Sequence, residues 1–504
     1  MRDSRTLLAS AVLLAFAFGA AAAQDAMPSA ERAAEKRAVA YLDALATGDS
    51  ERALAALEQQ FDPAWLERDD APDWTELSAK LARGCAGMQV HRILFEDGAR
   101  LVVEAEGSEG GSRRFEFGFR LVEPHFLFGI AVQRGGGGPG SGLPALELPT
   151  DDAKAVDAAL HEYLSALAAK DGFSGVVGIA YDGEPRFRRA YGLADRTHEI
   201  PNRVTTRFDV GSITKDFTKL AIARLWIDGQ LTPDDSIGTH LPDYPNADVA
   251  RTVTIRQLLD HSAGIPDIFN ERFFESAKRL YRTATDYFPL FAEEPLDFEP
   301  GTESRYSNGG YEILGAIIEA ASGMPYEAYV SKIVFEPAGM TSSGFFARDD
   351  VVPDVAMGYT TKGRSGPVPL HANLFHLPVK GSPSGGSFSP IDDLLAFDRA
   401  LRGHTLTPEP FTRWLLGGPL PGAGALAEAR RAGAQTSGAI PAGDGAAPSL
   451  AGSMDGVGTI MAGGAPGVNS SIQIEGPWTV IVLANLDPPI ATGLGERISN
   501  ALRN

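Results

Sequence analysis

The apolar positions of this chain change period along its length. Over residues 31–58 they recur at helical spacing, with Val39, Leu42 and Ala46, then Leu54 and Leu57, in phase. Gly48-Asp49-Ser50 interrupts the run, so the pattern predicts two helices, the second capped by Asp49 or Ser50. A third helix is predicted over 74–83. Strand-like segments follow at 89–95, 99–106, 114–121 and 126–133. Two of their turns, Glu96-Asp97-Gly98 and the stretch 107–111, are rich in turn formers. Helices followed by antiparallel strands predict a small α+β domain.

Arg-Gly-Gly-Gly-Gly-Pro-Gly-Ser-Gly-Leu-Pro then occupies 134–144, a composition expected of a flexible linker. We place the linker at 134–149 and a second domain at 150–504. That domain opens on a helix over 151–169. Strands over 175–181 and 185–193 are joined by Asp182-Gly183, a strong hairpin signal. Near the C-terminus, 470–475 and 478–486 form another hairpin across Gly476-Pro477, and a helix covers 491–502. Strands from both ends with helical material between them predict one antiparallel sheet flanked by helices, plus an inserted all-helical subdomain. Residues 417–458, dominated by Gly, Ala, Pro and Ser, are expected to be a long irregular surface loop. No tandem repeat is visible.

Composition adds limits. The chain has 504 residues, 44% hydrophobic and 22% charged, enough for a large core in two or three domains. Its net charge of -20 argues against nucleic acid and anionic membrane surfaces as partners. The start Met-Arg-Asp-Ser-Arg, an apolar run over 7–18 and small residues up to Ala23 predict a secretory signal peptide over 1–23. The α+β domain then spans 24–133. A periplasmic or secreted location follows as an expectation, without stable membrane insertion, because no other segment is long and apolar enough. The single cysteine, Cys85, excludes an intrachain disulfide and a cysteine-rich metal site, and is expected to be a packed core residue.

Three places carry candidate chemistry. Ser212 and Lys215 lie one helical turn apart, at a predicted helix start. A serine hydroxyl becomes nucleophilic when a neighbouring base takes its proton. Tyr306 and Asn308, two apart in Tyr-Ser-Asn, face one way if the segment is extended. A phenol beside a lysine can serve as general base, and an amide can hold a substrate carbonyl. The alternative is a surface turn before a helix over 311–321. Gly463-Gly464-Ala465-Pro466-Gly467 allows close backbone approach. A backbone N–H there, with that of Ser212, can form an oxyanion hole; a plain loop–strand junction is the alternative. His261 is expected to satisfy backbone carbonyls near a helix end. Phe217, Leu220, Ile222, Leu225 and Trp226 are expected to be core. No metal-binding or phosphate-loop pattern is present, so neither metal nor cofactor is expected.

The order of these elements, and the text around them, resembles the class C β-lactamases and penicillin-binding-protein-like serine hydrolases. The resemblance spans about 150–504. It includes Phe173-Ser-Gly, Arg207-Phe-Asp-Val-Gly-Ser-Ile-Thr-Lys, Asp228-Gly-Gln-Leu and Leu241-Pro-Asp-Tyr-Pro. Thr254-Ile-Arg-Gln-Leu-Leu-Asp-His-Ser-Ala-Gly-Ile-Pro, Phe298-Glu-Pro-Gly, Tyr306-Ser-Asn-Gly-Gly-Tyr, Pro337-Ala-Gly-Met and Gly464-Ala-Pro-Gly-Val-Asn complete it. It implies an active site between the sheet and the helical subdomain. Ser212 would be acylated, Lys215 would keep it activated, and Tyr306 would be general base and later acid. Asn308 would orient the acyl side chain, and the N–H groups of Ser212 and Gly464 would form the oxyanion hole, with Gly463 beside them. One departure stands out. Met461-Ala462-Gly463 fills the slot where the family usually carries Lys-Thr-Gly or His-x-Gly, and a thioether has neither charge nor donor. The implied substrate is a small ester, amide or D-amino-acid peptide, or a β-lactam, with carboxylate-bearing substrates disfavoured. The competing expectation is a non-catalytic binding or regulatory relative. The first domain resembles nuclear-transport-factor-like accessory domains of secreted hydrolases. Oligomeric state is left open.

Overall fold

A computed structural model describes residues 29–68, 71–96, 100–106, 112–120, 123–134, 143–149, 152–363, 366–435 and 459–503. The expected signal peptide and the glycine-rich part of the linker lie outside the described residues. The chain divides into two compact units, one of residues up to 132 with Thr302–Ser304, the other of the remainder.

The first unit has helices α1 (Ser29–Ala46), α2 (Ser50–Gln60) and α3 (Trp74–Cys85) and a sheet of β1 (Gln89–Glu96), β2 (Arg100–Glu106), β3 (Ser112–Phe119) and β4 (Leu127–Arg134) in sequence order. Asp49 starts α2 by accepting from Glu51 and Arg52 N–H at 2.9 and 3.2 Å. Asp73 does the same for α3. Phe115, Phe117 and Phe119 alternate along β3 and are fully buried with Tyr41, Phe61, Leu101 and Val103. Each such phenylalanine contributes about 1.5–3 kcal/mol of burial. Cys85 is packed in this core, and burial pushes its thiol up.

The second unit is built on a five-stranded antiparallel sheet. Its spatial order is β7 (Thr459–Ala465), β8 (Val468–Glu475), β9 (Trp478–Ala484), β5 (Gly175–Tyr181) and β6 (Glu184–Tyr191). The two ends of the sequence meet where β9 pairs with β5, Val482 opposite Val177. α4 (Ala153–Ala168) and α9 (Ile490–Arg503) cover one face, where Leu160, Leu164, Val177, Ile179, Val480, Val482 and Leu494 pack. α5 (Thr214–Ile227) and α7 (Ile391–Arg402) cover the other, with Phe217, Leu394, Phe397, Ile472, Ile481 and Leu483. Strand β9 therefore sends alternate residues into two cores. A Cβ at Gly178 would lie 2.7 Å from Ile391 Cγ1, so the glycine sets how closely α7 approaches the sheet. Between β6 and α7 lies the helical insertion, whose longest helix is α6 (Asn308–Ser322).

Four expectations change. The loop expected over 417–458 contains a helix, α8 (Ala423–Gln435); the rest, from 436, lies outside the described residues. Its Ala, Leu, Glu and Arg content favours helix despite two glycines. Arg430 secures it, donating to the carbonyls of Ile227 and Trp226 at the end of α5 at 3.0 and 3.1 Å. The segment ending at Ala465, for which a plain loop–strand junction was the alternative, is strand β7, in continuous register from Thr459 opposite Ile474 to Ala465 opposite Val468. Tyr306-Ser307-Asn308 is not extended throughout. Ser307 is the N-cap of α6, accepting from Gly310 N–H at 3.2 Å, and Asn308 is its first helical residue. The last part of the expected linker is packed, with Leu143, Leu146 and Leu148 against the core under α4, and Tyr163 donating to Pro144 O at 2.9 Å.

Candidate active site

Ser212 sits in a single 3-10 turn, Gly211–Ile213, leading into α5. The turn runs against the backbone of β7. A Cβ at Gly463 would stand 2.0 Å from Val210 O and 2.9 Å from Ser212 N, and one at Gly211 would stand 2.9 Å from Gly464 N. Only glycines permit this crossing, and Gly211 also needs its φ of 54°. Ser470 on β8 donates to Val210 O at 2.6 Å, and Val210 N–H donates to Ser387 O at 2.9 Å. The backbone nitrogens of Ser212 and Gly464 are thus held at one crossing.

Lys215, one turn on, is 5% exposed. Its Nζ donates to Asn308 Oδ1 at 2.7 Å, to the Ser384 carbonyl, and more weakly to Ser212 Oγ at 3.4 Å. Tyr306, 42% exposed, brings its hydroxyl to 2.7 Å from the same Oγ. The ammonium lies 4.7 Å from the centre of the Tyr306 ring, in cation–π range. Serine, lysine and tyrosine therefore meet at Ser212 Oγ, with the lysine on the buried side and the tyrosine on the open side.

Asn308 is engaged by the protein through both polar atoms. Oδ1 accepts from Lys215, and Nδ2 donates to Asp267 Oδ2 at 2.9 Å, as does the Asn308 backbone N–H. One amide hydrogen and one lone pair are left over. His261, at φ 59°, accepts at Nδ1 from Ser307 N–H at 3.2 Å, and its ring centre is 4.7 Å from that of Tyr306. It holds the tyrosine segment by receiving that backbone N–H. The apolar residues expected around α5 are buried.

Met461 is 5% exposed and lies on the same face of β7 as Gly463, packed in the core. The cleft beyond Ser212 is lined by Ile268, Phe269, Leu377, Pro378 and Ala465 on its apolar side. Its two lining cations are both paired, Arg348 with Asp209 and Lys380 with Glu327. Among the described residues no group of three or more His, Cys, Asp or Glu is placed to hold a metal, and no helix is long and apolar enough to cross a membrane.

Three contributors escaped the sequence reading. Asp267 stands two residues beyond the Gly264-Ile265 of a segment already singled out, and only its partner Asn308 reveals it. Ser384 acts through a backbone carbonyl, which leaves no trace in residue identity. Glu312 did leave a signal, as the one carboxylate in the otherwise apolar run from Tyr311 to Ile318.

Residues 160–503 match the family model described as Beta-lactamase. The putative penicillin-binding protein PbpX of Bacillus subtilis (strain 168) is 33% identical over 230 residues, 46% of this chain and 55% of that protein. Penicillin-binding protein 4* of the same organism is 31% identical over 252 residues, 48% and 55% of the two. The chain thus spans about half the length of the curated relatives it matches. A penicillin-binding protein from Bacillus halodurans superposes with a TM-score of 0.53 at 28% identity, over 67% of this chain and 98% of that one. A D-stereospecific amidohydrolase from Streptomyces sp. shares the fold, with a TM-score of 0.51 at 23% identity over 68% and 98%.

Proposed function

The chain belongs to the β-lactamase family of serine hydrolases, and on that premise we propose that it is exported and forms an acyl-enzyme on Ser212 with a neutral ester or amide. The observation that carries the reading is the meeting of Tyr306 OH at 2.7 Å and Lys215 Nζ at 3.4 Å on Ser212 Oγ. Ser212 Oγ attacks the carbonyl carbon while its proton passes to the Tyr306–Lys215 pair. The developing oxyanion is received by the N–H groups of Ser212 and Gly464. Tyr306 returns the proton to the leaving alkoxide or amine, and the same pair activates water for deacylation. Asn308 holds Lys215 in register and keeps one N–H for the acyl group.

Substrate choice follows from charge. Met461 supplies no cation or imidazole beside the turn, and Arg348 and Lys380 are already matched by Asp209 and Glu327. A substrate carboxylate would meet no uncommitted positive group among these residues. That favours neutral acyl compounds over penicillins and over peptides ending in D-alanine. Export rests on the basic-then-apolar N-terminal sequence.

The test is intact-mass measurement after a fluorophosphonate probe. A single adduct on the wild type and none on Ser212→Ala is expected. No adduct on the wild type sinks the enzyme reading and leaves a binding or regulatory relative. A panel of p-nitrophenyl esters, D-aminoacyl amides and a chromogenic cephalosporin then ranks substrates, with the neutral esters expected first.

A further inference from the structure

Near Lys215, closed off from solvent, lies a carboxylate that the proposed chemistry does not use. Glu312 is in the first turns of α6 and is 0% exposed. Its Oε1 accepts from Ser382 Oγ at 2.6 Å, while Oε2 is buried without a hydrogen-bond partner. Ser382 Oγ lies 3.2 Å from Ser384 Oγ, and Ser384 gives its carbonyl to Lys215 Nζ. A buried carboxylate is thus connected through one short loop to the catalytic ammonium. Gly381 and Gly386 fold that loop tightly: a Cβ at Gly381 would lie 2.2 Å from Gly386 O.

An acid in such a place is expensive to keep charged, and α6 would be better packed by an apolar side chain. A solely structural role would also have been served by a neutral amide, which can accept from Ser382 equally well. What distinguishes Glu312 is that it can carry a charge next to Lys215. We propose that Glu312 is a positioning residue that sets the pH at which the Ser212–Lys215–Tyr306 unit gives up the proton it must lose to attack. The proposal rests on acylation at Ser212.

The groups facing Glu312 are Lys215 from α5, Tyr287 from the segment Ala284–Leu290, and Tyr326 from the short helix after α6. Both phenols are pushed up, chiefly by burial, so neither sets a negative charge against Glu312 near neutrality. Burial pushes Glu312 itself up to about 7, against the hydrogen bond from Ser382, the nearby Ser384 and the charge of Lys215. It therefore changes charge near neutrality. Ionised, it stabilises the protonated Lys215–Tyr306 unit and holds back loss of the proton. Protonated, it releases that hold. The sign is the same whichever of the two groups carries that proton.

The experiment measures the second-order rate of fluorophosphonate labelling from pH 5 to 9 for wild type, Glu312→Gln and Ser382→Ala. In each labelling event an O–P bond forms, the P–F bond breaks, fluoride leaves and the Ser212 proton goes to the Lys215–Tyr306 unit. Glu312→Gln keeps the shape and the acceptor for Ser382 and abolishes the charge. Its rising limb is expected to move to lower pH by about half a unit or more, roughly a threefold gain at a fixed pH on the limb. Ser382→Ala, which withdraws the hydrogen bond favouring the ionised acid, is expected to move it the same way by less, and serves alone if the glutamine variant does not fold. A structural role would lower labelling at every pH and leave the limb in place. Superimposable limbs in wild type and the folded variants would overturn this proposal while acylation at Ser212 stands. A wild type that is not labelled would overturn both.

Discussion

Gly463→Ala tests whether the backbone crossing of β7 with the Ser212 turn is the core of the site. The added Cβ would fall 2.0 Å from Val210 O, 2.6 Å from Ser470 Oγ and 2.9 Å from Ser212 N. Ordinary contact begins at 3.4 Å, so the strand and the turn must part by up to 1.4 Å (3.4 minus 2.0). Neither neighbour yields easily. Val210 is held by Ser470 and Ser387, and β7 is paired along its whole length with β8. Overpacking of this kind costs about 1–3 kcal/mol of stability. Its effect on acylation is larger, because displacing a reacting group by about 1 Å costs roughly 100-fold in rate. Gly464→Ala is the internal control. Its Cβ would meet the Pro488 ring at 2.9 Å, on the other face of the strand, and its N–H survives. A labelling rate about 100-fold down for Gly463→Ala and within about tenfold of wild type for Gly464→Ala is expected, with thermal unfolding confirming both folds. Equal losses in the two variants, or a wild-type rate in Gly463→Ala, would refute the crossing as the source of the geometry.

Two further outcomes follow. Met461→His returns an imidazole to the slot beside Gly463 and should raise turnover of carboxylate-bearing substrates more than that of neutral esters; equal effects would reject Met461 as the cause of selectivity. Glu312 also predicts a pH dependence of stability. Its carboxyl, ordinarily near 4.5, is raised to about 7 on folding, so the folded state binds the extra proton between those values. Stability from this group is full below pH 4.5 and lost as pH rises through 7, about 3 kcal/mol in total for a shift of that size. Urea titrations of wild type and Glu312→Gln at pH 4.5 and pH 8 should therefore diverge by about that amount in the variant's favour, and a constant difference would count against it.

The elements that periodicity could read were those whose residues bury one face. The two helices around Gly48, the alternating phenylalanines of β3 and the β5–β6 hairpin at Asp182-Gly183 are of this kind, and they stand within a few residues of where the pattern put them. Strand β7 is of another kind. Met-Ala-Gly-Gly-Ala has no strand propensity, and it is extended because β8 offers a full ladder. The helix α8 was hidden the same way, its alanines counted with the glycines around them as loop.

The active site divides along the same line. Ser212, Lys215, Tyr306 and Asn308 meet through side chains and were legible as residue types at a spacing. The Ser384 carbonyl, the Ser307 N–H received by His261 and the nitrogens at the Gly211–Gly463 crossing are backbone groups, and a sequence names them only through the residues that make room for them. That is why the glycines carried two meanings. In a loop they would have been idle, and at a crossing where a Cβ on Gly463 would fall 2.0 Å from Val210 O they are obligatory, so the same letters mark either a turn or a close backbone approach. Met461 belongs to this second class as well. As a substituted catalytic cation it marks impairment. As a buried core residue on the glycine face of β7 it leaves the serine, lysine and tyrosine in contact. The departure in the third motif therefore leaves the contacts at Ser212 Oγ in place, and under the proposed function it bears on selectivity.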